Sequence, residues 1–238
     1  MRVIAFASQK GGSGKTTLAG HVAVRAEQLG HGPVGLIDTD PQGSLADWWN
    51  ARQAETPAFV HTYVSRLTSD LADLREAGMR LAVIDTPPAI TSTIRHVIEA
   101  CDLVVLPSRP SPHDLRAAGA TLEITNQLGR PVIFVINAAT PRARITAEAA
   151  IALSQHGTVA PVSIHHRTDF ASSMIDGRTV MEVNASSRSA QEIDALTVYV
   201  MDRLSQVQRR TIMPASQPVV ASRGFGRRPL PSAQVLES

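Results

Sequence analysis

The chain has 238 residues, 43% of them apolar, and a formal net charge of +2. That length suits one large α/β domain or two small ones, and no apolar run approaches the roughly 18–20 residues of a membrane-spanning helix. The single cysteine, Cys101, excludes an intrachain disulfide and gives no support to a zinc site.

Residues 2–8 (RVIAFAS) read as a buried strand; the run is too short for a secretory signal, so a cytoplasmic location is expected. Residues 14–30 read as a helix, with Leu18, Val22, Ala26 and Leu29 at three- and four-residue spacing. Gly30 and Gly32 stop it before Pro33. A strand at 33–38, a turn and helix at 41–55 and a short strand at 58–63 follow. A helix at 66–78 places Leu67, Leu71 and Leu74 inward. Further strands are predicted at 80–85, 102–108, 131–137 and 157–164, and helices at 91–100, 113–128, 143–155, 168–175 and 187–206. Four of the strands are apolar throughout, as strands buried on both faces are. The predicted fold is α/β: one doubly wound, mostly parallel sheet with helices on both faces. Ligands bind such sheets at the carboxyl ends of the strands, which directs attention to residues 8–17, 38–43, 85–92, 107–114 and 137–142.

From Gln206 the periodicity dissolves. Residues 206–238 carry five arginines and one acid, a charge of +4 against −2 for the remainder. The expected organisation is a domain over 1–206 and a basic, Pro/Ser/Arg-rich, disordered tail over 207–238.

The segment ASQKGGSGKTTLAGHV (7–22) approaches the phosphate-loop formula G-x-x-x-x-G-K-[ST] but puts Gln9 where the first glycine belongs. It adds Lys10 and the pair Gly11–Gly12. The chain has 21 arginines and only two lysines, Lys10 and Lys15, both in this loop. A compact ammonium is wanted there rather than a guanidinium fork. Gly11, Gly12, Ser13 and Gly14 let the backbone approach phosphate oxygens, and the helix that follows points its N–H groups at an anion. Lys15 is expected to reach the β- and γ-phosphates, Thr16 to offer its hydroxyl to Mg2+, and Thr17 to bond the α-phosphate.

LIDTDPQGS places Asp38 at a strand end and Asp40 two residues on, suited to holding a metal-bound water and orienting the attacking one. The structural alternative is a helix cap by Asp40 or Ser44. LAVIDTPP ends a strand in Asp85, the pattern of a second magnesium-binding acid, and Thr86–Pro88 form a stiff loop that can sense the γ-phosphate. In PSRPSPHDLRAAG, Asp114 either caps a helix or contacts a partner subunit. Asn137 either reads a base edge or forms a strand-end turn.

KGGSGKTT, LIDTDPQGS, VIDTPP and LPSRPSPHDLRAAG resemble, in order and spacing, the ParA/MinD superfamily of deviant-Walker ATPases, most of all the small ParF-like ParA proteins. The likeness extends to RTDFASSMIDGRTVMEV and covers about residues 1–206. The resemblance implies that Lys10 reaches across a homodimer to the partner's ATP, with Lys15 and Asp40 also catalytic. Asp40 would be the water-orienting acid, Asp38 the magnesium-proximal acid and Asp85 the Walker B acid. It implies ATP and Mg2+ as cofactors and non-specific DNA binding by the dimer on the nucleoid. It also implies a ParB-like or other small activating partner. The cargo would be a plasmid, a chromosome region or a protein organelle such as a carboxysome. No lysine-rich amphipathic helix suggests a membrane anchor. A metabolic ligase of the same superfamily is the alternative; glutamine-dependent amidation would need a nucleophilic cysteine with a histidine, and Cys101 has no suitable partner nearby. A non-hydrolysing nucleotide switch is opposed by Asp38, Asp40 and Asp85.

Overall fold

The structure, a computed structural model, describes residues 1–88 and 91–212. Strands and helices alternate: β1 (Arg2–Phe6), α1 (Lys15–Gln28), β2 (Val34–Asp38), α2 (Ser44–Asn50), β3 (Ala58–His61), α3 (Leu67–Glu76), β4 (Leu81–Asp85) and α4 (Thr91–Ala100). There follow β5 (Leu103–Ser108), α5 (Pro112–Gln127), β6 (Val132–Ile136), α6 (Arg144–Ser154), β7 (Thr158–Val159), α7 (Thr168–Met174), α8 (Val180–Val183) and α9 (Arg188–Ile212). A single sheet of order β3-β2-β4-β1-β5-β6-β7 results, and each recorded strand pair is parallel.

Side chains alternate across the sheet because strand period is two. Ile4 and Phe6 of β1 face a core built with Leu18 and Val22 of α1, Trp48 of α2, Phe170 of α7 and Ile193 and Leu196 of α9. Val3 and Ala5 face the opposite side, where Leu67, Leu71 and Leu74 of α3 meet Ile94 and Ile98 of α4. Phe134 and Ile136 complete a third cluster under α5 and α6. Helices thus cover both faces, and the central strands are buried along nearly their whole length. That is why they read as continuous apolar runs.

Three elements differ from expectation. The strand expected over 157–164 pairs only through Thr158 and Val159, because Pro161 lacks the N–H a longer ladder needs. The short helix α8 was not foreseen, although its capping box, Thr179 with Glu182, is written in the sequence. Helix α9 continues to Ile212, six residues past the expected boundary. The remainder of the expected tail, 213–238, lies outside the described residues, as do 89 and 90 of the 85–92 loop.

His21 locks α1 to α8. It is fully buried; the Val180 N–H donates to its Nε2 at 3.2 Å, so its proton sits on Nδ1 and is donated to the Thr17 carbonyl at 2.7 Å. Burial lowers its pKa from 6.5 to about 4. The unfolded chain therefore takes up a proton before the folded one does. His21's own contribution to stability is expected to be constant above about pH 6.5 and to fall by about 3 kcal/mol as the pH drops from 6.5 to 4, while the raised carboxyl of Asp85 acts in the opposite direction over the same range. The difference between wild type and His21→Gln isolates it: the wild-type advantage at pH 7, read from urea midpoints, should shrink by that amount toward pH 4.

Candidate functional site

The loop after β1 crosses the carboxyl edge of the sheet and runs into α1. Gly12 and Gly14 hold φ of +72° and +96°. Gly14 occupies the cap position of α1, with no side-chain cap hydrogen bond and no acid in the first turn. The first amides of α1 are therefore left for an anion. By contrast, Ser111 caps α5.

A cavity of about 690 Å3 opens above this loop. Its floor is Gly11, Gly12, Gly14, Lys15, Thr16 and Thr17; Asp40 stands on one side and Thr86, Pro88 and Arg109 at the rim. The size falls in the ordinary range for a small-molecule site. Lys15 is buried, and its ammonium donates to the carbonyl of Lys10 at 3.2 Å. Burial lowers its pKa, against the charges of Asp85 and Asp40. Ser13 is buried with its hydroxyl unbonded.

Asp38 and Asp85 are register partners on β2 and β4, so their side chains share a sheet face. Both are fully buried. Asp38 Oδ1 accepts the Asp40 N–H at 2.9 Å and Oδ2 accepts the Ala46 N–H at 3.1 Å. The acid that serves α2 is thus Asp38, not Asp40 or Ser44. Asp40 accepts from the Gln42 N–H at 2.9 Å through one oxygen, bending the turn that puts it in the cavity.

Neither oxygen of Asp85 makes a hydrogen bond. Burial pushes its carboxyl up to about 7, opposed by the Thr16 hydroxyl and the Lys15 ammonium. A buried carboxylate without donors, next to a threonine hydroxyl and a second acid, is an all-oxygen set that fits a hard divalent cation. Among the described residues no group of three or more His, Cys, Asp or Glu is arranged to hold a metal unaided. Phosphate oxygens would have to complete the shell, as they do for Mg2+ bound with a nucleotide.

Ser13, Asp38 and Asp85 are buried and do not line the cavity, and two further expected residues are engaged elsewhere. Lys10 does not enter its own cavity; its Nζ donates to Asp114 Oδ2 at 2.5 Å. Asp114 is nearly buried and also accepts from the Ser111 hydroxyl. Burial alone would raise its carboxyl, but Lys10 and Ser111 hold it below the usual range. Of the two roles expected for Asp114, the cap of α5 belongs to Ser111, and within this chain Asp114 receives Lys10. Asn137 does not line the cavity. Its Nδ2 donates to the Ser13 carbonyl at 2.7 Å and braces the loop from behind, a different task from reading a base edge.

The model of the CobQ/CobB/MinD/ParA nucleotide binding domain matches residues 4–180, a span that contains every one of these groups. The chain belongs to this family. It is 30% identical over 200 residues to the maintenance of carboxysome distribution protein A of Halothiobacillus neapolitanus, across 79% of this chain and 91% of that one. The protein of the same name from Gloeobacter kilaueensis is 41% identical over 117 residues, 48% of this chain and 52% of its own. Among solved structures, the Cyanothece McdA(D38A)–ATP complex superposes with a TM-score of 0.71 at 18% identity, over 85% of this chain and 96% of that one. As expected from the motifs, the chain is a ParA/MinD-type nucleotide-binding protein on a wholly parallel sheet.

Sequence reasoning missed the apolar wall of the cavity. Trp48 of α2 and the pair Met174–Ile175 at the end of α7 line it, and Ile175 is 81% exposed. The wall is set by Arg52, which grips Glu182 through two contacts of 2.9 and 2.6 Å and donates to the Gly177 carbonyl at 2.8 Å. The Trp48 indole donates to the Arg178 carbonyl at 3.0 Å. Only the position of RTDFASSMIDGRTVMEV within a familiar pattern pointed here; no spacing rule joins α2 to α7.

Proposed function

We propose that this chain is an ATP-dependent positioning ATPase. It binds Mg2+–ATP, pairs with a second copy across two nucleotides, coats nucleoid DNA without sequence preference, and is released when a small ParB-like or other partner stimulates hydrolysis. The observation that carries this reading is the match to a carboxysome distribution protein over 91% of that protein's length. The names of both relatives favour a carboxysome as cargo over a plasmid or a chromosome. The roles follow from the site. Lys15 and the α1 amides would hold the phosphates, Thr16 and Asp85 the cation with Asp38 beside them, and Asp40 the attacking water. The bound cation would neutralise charge on the terminal phosphate. Arginines facing solvent on the dimer, together with those of the 207–238 segment, would supply phosphate contacts to DNA.

A ligase reading has less support. Cys101 is 1% exposed, its thiol donates to the Ile98 carbonyl, and burial pushes its pKa up to about 12. It is no nucleophile for glutamine-dependent amidation.

The test uses an Asp40→Ala chain with Mg2+–ATP. We expect turnover below about a hundredth of wild type, a dimeric mass by light scattering with ATP but not ADP, and salt-sensitive binding to random DNA by the dimer alone. A monomer at every concentration would defeat the proposal. Undiminished turnover would remove Asp40 from its role.

A further inference from the structure

Arg109 is a cation at the phosphate loop that no motif assigns. It follows β5, on the loop that opens α5. Its backbone is held: the Ser111 N–H donates to the Arg109 carbonyl at 2.7 Å, the Ser108 hydroxyl does so at 3.3 Å, and Pro110 and Pro112 flank the turn. From that anchor the side chain lies over Gly12: a Cβ built on Gly12 would sit 3.5 Å from Arg109 Nη2 and 4.0 Å from its Cζ. Arg109 thereby lines the cavity with Lys15, Thr16 and Asp40. Among the described residues its guanidinium has no hydrogen bond or ion pair. The acid that feels its charge, Asp114, is already taken by Lys10 and Ser111.

Position along the loop decides what Arg109 faces. The Gly14–Thr17 end meets the start of α1, where the inner phosphates belong. The Gly11–Gly12 end is flanked by Pro88, 3.9 Å from a Cβ on Gly11, and by Arg109. That is the end a terminal phosphate would occupy. A guanidinium fork matches two phosphate oxygens at once, which a lysine does not.

Resting on the nucleotide reading above, we propose that Arg109 binds the terminal phosphate of the ATP held in its own subunit and so makes the loop prefer ATP to ADP. Lys10 serves the partner's nucleotide, whereas Arg109 serves its own.

The experiment measures ATPγS and ADP affinities of the full chain by displacement of a fluorescent nucleotide, in Mg2+. Arg109→Gln and Arg109→Lys are compared with wild type, and again in a Lys10→Ala background that removes the dimer's contribution. We expect Arg109→Gln to weaken ATPγS about tenfold and ADP less than twofold, with partial recovery in Arg109→Lys. The loss should persist in the Lys10→Ala background. Equal losses for both nucleotides, or no loss, would overturn the proposal. A loss that vanishes with Lys10→Ala would place Arg109 on the partner's nucleotide and overturn it too. A wild-type chain that binds neither nucleotide would instead defeat the nucleotide reading itself.

Discussion

Lys10→Ala is expected to keep ATP binding within a few-fold of wild type while turnover falls by about 10³ and the ATP-dependent dimer is lost. On the proposed function, one side chain governs both. Within one chain, Lys10 is held at 2.5 Å by Asp114. A charge-assisted hydrogen bond of this kind contributes about 1.5–3 kcal/mol. In the proposed dimer, the ammonium would exchange it for the phosphates across the interface. At about 4 Å and an effective dielectric near 20, one charge pair there is worth about 4 kcal/mol before desolvation. On the proposed function the exchange would be favourable only with a triphosphate across the interface, once per subunit. Asp114 would tolerate that departure, because it keeps the Ser111 hydroxyl and sits in the first turn of α5, where the helix dipole favours an acid. Two measurements separate this from simple loss of a buried ion pair. Thermal melts should show Lys10→Ala folded. Asp114→Asn, which loosens the seat without removing the ammonium, should dimerise at equal or lower ATP concentration than wild type. If Asp114→Asn abolishes turnover as fully as Lys10→Ala does, the pair is structural and the handover is wrong.

What the sequence disclosed and what it withheld divide along physical lines. The parallel sheet was legible because strands such as LAVID and LVVLPS are apolar on both faces, whereas a strand with one face in water alternates. The phosphate loop was legible because glycines, lysine and threonines must occur at fixed offsets within one turn of backbone. Asp38, Asp40 and Asp85 stand out in the sequence because each lies at or just past the end of a strand, on the edge of the sheet where ligands bind. Contacts between distant segments were not legible. Nothing local ties Lys10 to Asp114, 104 residues away, or Asn137 to the Ser13 carbonyl, 124 residues away. Arg109 was hidden by abundance: one arginine among 21 carries no signal until its guanidinium is placed over Gly12. The end of α9 was illegible for another reason. Helix α9 outlasts its apolar face, since Leu204 is its last buried apolar residue among those described and the turns beyond it need no hydrophobic period.

Gly14→Ala is expected to weaken nucleotide binding by more than about a hundredfold, and the loss should separate into two parts. Gly14 has φ of +96°, where an alanine costs about 1–2 kcal/mol. Where the free loop relaxes to escape that strain, regaining the conformation on binding costs about tenfold in affinity. The rest is collision: a Cβ there would lie 2.0 Å from Asn137 Nδ2. Asn137 cannot retreat without giving up its 2.7 Å bond to the Ser13 carbonyl, the brace that shapes the loop from behind. Adding Asn137→Ala to Gly14→Ala should therefore recover part of the affinity by removing the collision, while the φ penalty remains. Asn137→Ala alone removes one neutral hydrogen bond, worth about 1 kcal/mol, and should weaken binding by several-fold. The same variant decides what Asn137 does. A brace acts on the phosphates, so ATP and GTP should lose affinity equally. A base reader would discriminate, so a loss confined to ATP would return Asn137 to the base edge. Isothermal titration of both nucleotides against these three variants, with circular dichroism to confirm folding, yields all the terms. Wild-type affinity in Gly14→Ala would mean that the loop is not held in this conformation when the nucleotide is bound.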